Sequence, residues 1–185
     1  MSTATQSERL LTAEEFAAEC DDRRTELVNG KVVEMSPTGN RHGKIQFRIA
    51  RLMGNFVDER DLGDVSGESG VITKRDPDSV RGPDVMFYSW ERIPKGEAPI
   101  GFTPIAPEVV FEVLSPSQTL RELIEIAGEY LAAGVLCVCI VDPKRREILV
   151  HERDTPTKVL TEQDTLSLPE PLHEWQPRVG DFFPA

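Results

Sequence analysis

No stretch of the chain approaches the roughly 18 uninterrupted apolar residues of a membrane-spanning helix, and Met1 to Arg9 is polar, without the apolar centre of a signal peptide. The expectation is a cytoplasmic protein with no membrane partner. Cysteine is scarce: Cys20, Cys137 and Cys139 are the only three. The two-residue spacing of the last pair puts both thiols on one strand face, which suits neither a disulfide nor a CxxC metal site. They read as core thiols. Basic residues are outnumbered, with 21 Lys and Arg against 32 Asp and Glu and a formal charge of -11. That balance excludes the broad basic field of a tight nonspecific nucleic-acid binder, but it does not exclude a local site. Nothing repeats. The 185 residues are enough for one sizeable core, so residues 1–11 read as a disordered tail and 12–185 as a single domain.

What is present is an ordered series of α/β signals. Thr12 and Glu15 have capping-box spacing before a short helix reaching about Cys20. Asn29-Gly30 separates two strand-like runs and predicts a type I′ hairpin, whose central residues both need positive φ. Within that N-terminal hairpin Glu26 can face either a site or water. A helix is predicted from His42 to about Arg60, with Ile45, Ile49, Leu52, Met53, Phe56 and Val57 on one face. Arg41, Lys44, Arg48 and Arg51 fall together beside that face, either as a solvated charged surface or as a phosphate-tracking, nucleic-acid-binding stripe. His42 at the helix start is either a hydrogen-bonded end residue or part of a site.

Gly63 to Lys74 reads as one strand with glycine interruptions. A second begins at Gly82-Pro83-Asp84, where the proline sets Asp84 at the strand's start, and 89–107 reads as a long loop. Ser115 to Ser117 is expected to cap a helix that ends at Gly134, with an apolar stripe of Leu120, Leu123, Ile124, Ala127, Tyr130 and Leu131. Ile126 lies at the margin of that stripe. Leu136 to Val141 reads as a buried strand and Glu147 to His151 as its hairpin partner. Lys158 to Leu160, Thr165 to Leu168 and Phe182-Phe183 read as short edge elements.

One residue stands out from this pattern. Glu112 interrupts the apolar run Val109, Val110, Phe111, Val113, Leu114, where an unpaired charge costs several kcal/mol. It needs a bound cation or a structural partner such as an arginine. An aspartate at the start of one strand, Asp84, can meet it across a sheet, and two such carboxylates can hold Mg²⁺ or Mn²⁺ with several waters retained. Such an ion activates water and stabilises charge on phosphate.

Six segments, in order, resemble the Uma family of bacterial restriction-endonuclease-like proteins, long filed as a domain of unknown function. They are Glu26 to Val32, His42, Gly82-Pro83-Asp84-Val85, Val110 to Ser117, Tyr130 to Val135 and Ile140 to Pro143. The resemblance runs from about Thr12 to Phe183. It implies the restriction-endonuclease-like α/β fold of the PD-(D/E)XK nucleases, a mixed sheet flanked by helices. It further implies a metal-dependent endonuclease that hydrolyses phosphodiesters in nucleic acid, DNA foremost, and works as a homodimer. Asp84 and Glu112 are then the metal ligands, and Glu26 and His42 join them as catalytic-site residues. The family's lysine, two residues after the acid in related nucleases, has moved to the following helix, and in this chain that position is Ile126. Lys44 or Arg121 is left as a stand-in. Three readings therefore stand: an active nuclease, a nuclease-fold module that binds or regulates without cutting, and, with the least support, a hydrolase for a small phosphorylated or acidic metabolite.

Overall fold

Two sheets of unequal size meet around one helix. The computed structural model describes residues 9–20 and 24–184, with the side chain of Cys20 not described. The expected tail lies outside the described residues as far as residue 8. Of the rest, the Leu11 N–H donates to the Gly30 carbonyl.

The smaller sheet contains β1 (Thr25–Val28), β2 (Lys31–Glu34), β4 (Val71–Lys74) and β5 (Ser79–Arg81), in the order β2-β1-β5-β4 and antiparallel throughout. Its first two strands are the predicted hairpin, with φ of 49° at Asn29 and 78° at Gly30. Helix α1 (Ala13–Cys20) covers this sheet, burying Ala13 and Phe16 against Leu27 and Val80. The predicted capping box closes it: Glu15 N–H donates to Thr12 Oγ1 at 3.2 Å and Thr12 N–H to Glu15 Oε2 at 3.0 Å.

The larger sheet contains β3 (Gly63–Ser66), β6 (Val85–Ser89), β7 (Val109–Val113), β8 (Cys137–Asp142), β9 (Glu147–Glu152) and β10 (Lys158–Thr161), in the order β10-β9-β8-β7-β6-β3. Only β7 and β8 are parallel, joined through α3 (Leu120–Ala133) as crossover helix. Alternation along β7 divides the core. Val109, Phe111 and Val113 pack with Ile45, Ile49, Met53 and Val57 of α2 (Asn40–Arg60), while Val110 packs with Leu123, Ala127 and Tyr130 of α3. Glu112 shares the α3 side. Burying a side chain such as Phe111 or Tyr130 contributes roughly 1.5–3 kcal/mol. Cys137 and Cys139 are core thiols with sulfurs 3.9 Å apart. No helix among the described residues is long and apolar enough to cross a membrane.

Four expectations are corrected. The run from Gly63 to Lys74 is two strands in different sheets, because residues 67–70 carry the chain from one sheet to the other. A Cβ at Gly67 would lie 2.4 Å from the Asp84 carbonyl oxygen and one at Gly70 would lie 2.1 Å from the Phe102 ring, so the crossing needs glycine twice. Helix α3 is capped by Thr119, not by Ser115 to Ser117: Glu122 N–H donates to Thr119 Oγ1 at 3.2 Å, and Thr119 N–H to Glu122 Oε2 at 2.6 Å. Its buried face is rotated, leaving Ile124 exposed and Ile126 partly buried against the α3-side core, since α3 packs on both β8 and β4. Residues 165–168 form no strand beyond a bridge from Thr165 to Arg178, and Phe182 ends a short 3-10 helix (Val179–Phe182).

Candidate active site

Pro83 admits the chain to β6 with Asp84 one residue ahead of the strand, and three groups fix it there. Its Oδ2 accepts from the Val113 N–H at 2.7 Å and lies 3.1 Å from His42 Nε2. Its carbonyl accepts from Gln46 Nε2 at 3.0 Å. Both His42 and Gln46 come from the first turns of α2, so the helix that fills one core also sets this carboxylate. His42 is 5% exposed, and its Nδ1 is buried without a hydrogen-bond partner among the described residues.

The β6–β7 register pairs Val85 with Phe111, and one further step brings Asp84 level with Glu112. Glu112 has a single hydrogen bond among the described residues, from the Tyr130 hydroxyl to Oε1 at 2.8 Å. Among the described residues neither Asp84 Oδ1 nor Glu112 Oε2 accepts a hydrogen bond. Burial pushes the Glu112 carboxyl well above its usual range, and the Asp84 charge pushes it further. The Tyr130 hydrogen bond opposes this, and more weakly so does the charge of Arg81. The Tyr130 hydroxyl is raised for the matching reasons, burial first and the Glu112 charge second.

Glu26, from β1, is built in the opposite way. Its Oε2 takes a 2.8 Å bond from Arg81, at the end of β5, and its Oε1 takes the Gly82 N–H at 3.1 Å. Arg81 continues to Glu129 on α3 at 2.8 Å, and Thr73 Oγ1 also donates to Glu129. Burial alone would lower the Arg81 pKa, but Glu129 and Glu26 raise it overall. Glu129 is held below its usual value, because bonds from Arg81 and Thr73 outweigh its burial. Arg81 and Glu129 were missed from sequence. Their 48-residue separation leaves no local pattern, although an arginine inside Ser79-Val80-Arg81 just before Pro83-Asp84 was a visible oddity.

Glu26, His42, Asp84 and Glu112 therefore come together, lining one cavity of about 590 Å³. Ile126 lines it as well. Five carboxylates border the space (Glu26, Glu34, Glu68, Asp84 and Glu112), and the arginine on its wall, Arg24, is paired with Glu68 at 3.0 Å. The basic stripe of α2 does not reach it. Arg41 donates to the Pro143 carbonyl and Arg48 to the Phe183 carbonyl at 2.8 Å, while Lys44 and Arg51 are exposed outside the cavity. Arg121 is an exposed partner of Glu125, so neither expected stand-in for the lysine borders the cavity.

Among the described residues no group of three or more His, Cys, Asp or Glu gathers as a metal cage. The donor set nonetheless suits one kind of ion. Two carboxylates, each with an unbonded oxygen and one with a raised pKa, match a hard divalent cation that keeps most of its waters.

A model of the Uma2 family, described as "Putative restriction endonuclease", matches residues 13–180. No curated protein matches the chain. Among solved structures, the fold is similar to the crystal structure of a "putative nuclease belonging to DUF820" from Anabaena variabilis ATCC 29413. The TM-score is 0.82 at 22% identity, over 94% of this chain and 97% of the other.

Proposed function

The chain belongs to the Uma2 family of restriction-endonuclease-like proteins, and on that premise we propose that it hydrolyses nucleic-acid phosphodiester bonds with Mg²⁺ or Mn²⁺ held by Asp84 and Glu112. One observation carries the reading: two facing carboxylates, each with an oxygen left unbonded, the second raised in pKa by burial and by the charge of the first. A pair of this kind asks for positive charge, and among the described residues of the cavity the arginine, Arg24, is paired with Glu68 instead. Bound there, a divalent cation contributes Lewis acidity beside the scissile phosphate and favours ionisation of water.

The chain's own groups position that chemistry. His42 Nε2 and the Val113 N–H hold Asp84 through Oδ2 alone, keeping Oδ1 for a ligand. Tyr130 does the same for Glu112 through Oε1. Glu26 borders the cavity as a third acid, already fixed by Arg81 and the Gly82 N–H. His42 is a positioning residue, acting through Asp84. Cutting both strands of a duplex further calls for two copies of the chain.

Purified protein is incubated in Mn²⁺ with end-labelled single- and double-stranded DNA and RNA, beside Glu112→Ala. Cleavage by the wild type and its loss in the variant are expected. Absence of cleavage on every substrate overturns the reading.

A second reading is favoured by Ile126, which stands on the cavity wall at the position where the family resemblance places a lysine. An isoleucine neither orients water nor offsets charge on phosphate, and such groups commonly contribute orders of magnitude in rate. On that reading the protein keeps the metal pocket and binds without cutting. Cleavage that appears only in Ile126→Lys decides for it.

A further inference from the structure

The four basic residues of α2 do not act as one stripe. Arg41 and Arg48 are spent on the carbonyls of Pro143 and Phe183, fastening the helix to the turn after β8 and to the C-terminal segment. Lys44 and Arg51 are exposed and have no hydrogen bond or ion pair among the described residues. Phe47 stands between them. Spacings of three and four residues set Lys44, Phe47 and Arg51 along one side of the helix, with the two basic positions roughly 10 Å apart along its axis.

Phe47 is 69% exposed. It borders a groove of about 350 Å³ whose walls include Gly43, Ala50, Ser66 and Gly67. A Cβ at Gly43 would meet nothing within 4 Å, so packing does not require glycine there; its absence leaves the wall beside the ring bare. The groove shares Glu68 and Asp84 with the carboxylate cavity, so the two lie side by side.

We propose that Phe47 is a stacking platform for an unpaired nucleobase, with Lys44 and Arg51 on the neighbouring phosphates, so that the strand entering the site is single-stranded or frayed. The charges favour this occupant: on a protein of net charge -11, two cations without a partner among the described residues bracket one bare ring on the helix whose first turn borders the acidic site. An aromatic ring stacks on any base, whereas paired bases in a duplex keep their faces covered. What happens to the strand afterwards rests on the nuclease reading; the binding does not.

The test is fluorescence anisotropy without divalent cation, using fluorescein-labelled oligo-dT, the same length of oligo-U, and a duplex of that length. Wild type binds an unpaired strand, deoxy or ribo, more tightly than duplex. Phe47→Ala weakens that binding about tenfold or more, and Phe47→Trp restores it. Lys44→Ala and Arg51→Ala each flatten the slope of log affinity against log salt by about 0.7. Phe47 is too exposed for its loss to unfold the protein, which circular dichroism checks. Equal binding by wild type and Phe47→Ala, or no binding of either unpaired strand, overturns the proposal. Phe47-dependent binding without cleavage in Mn²⁺ would sink the nuclease reading alone, and cleavage with binding indifferent to Phe47 would sink the stacking platform alone.

Discussion

Two carboxylates border the same cavity on opposite plans. Glu26 is matched inside the fold, by the Arg81 guanidinium and the Gly82 N–H. Glu112 has one neutral hydroxyl and a second acid, Asp84, beside it. A partly buried acid with its own arginine is settled by folding and asks for nothing more. One facing another acid is left with a raised pKa, which a bound cation would relieve. The difference separates the structural half of the cavity from the half expected to do chemistry.

The largest effect should come from breaking the settled half. Arg81→Met strands both Glu26 and Glu129, costing about 3–5 kcal/mol in urea unfolding. A loss under about 1 kcal/mol would mean that the arginine does not hold them. Glu26→Gln removes one of the two ion pairs and should destabilise by about 1–3 kcal/mol at neutral pH. Tyr130→Phe deletes the only hydrogen bond to Glu112 among the described residues, with a cost in the same range, about 1–3 kcal/mol, and a further rise in the Glu112 pKa. Glu112→Gln should act with the opposite sign. Because the folded pKa lies above the ordinary 4.5, the native state keeps a proton that the unfolded chain releases. Stability is therefore greatest below that value and is lost as pH rises through the folded pKa. The amide escapes that loss, so at neutral pH the variant is the more stable of the two, a gain that vanishes below pH 4.5. Thermal melts across pH check it. If the two Gln variants shift stability in the same direction, the contrast between the carboxylates is wrong.

The site was more legible than the network behind it. Glu112 stood out because its neighbours in sequence are its neighbours on the strand, and Asn29-Gly30 because a two-residue turn leaves its mark on adjacent positions. His42 and Asp84 lie 42 residues apart, yet each sits at the entrance of an element, where polar residues carry information. Arg81 gave a weaker signal, an arginine just before Pro83-Asp84, since its partners arrive from β1 and α3 and its strand, β5, has three residues. The division of Gly63 to Lys74 was hidden because glycines at a sheet crossing look like bulges in one strand. Thr119 was readable: with Glu122 it has the same capping-box spacing as Thr12 and Glu15, but Ser115-Pro116-Ser117 offered an earlier start. The basic stripe was correct as a helix face and incomplete as chemistry, because periodicity does not show which arginines are spent on distant carbonyls.

Calorimetric titration of Mn²⁺ into wild type, Glu112→Gln and Glu26→Gln tests the central claim most directly, because the Glu112 variant should be at least as well folded as the parent. One ion should bind wild type, bind Glu26→Gln with similar affinity, and fail to bind Glu112→Gln. No binding to wild type, or equal binding to all three, would contradict a cation site at Asp84 and Glu112.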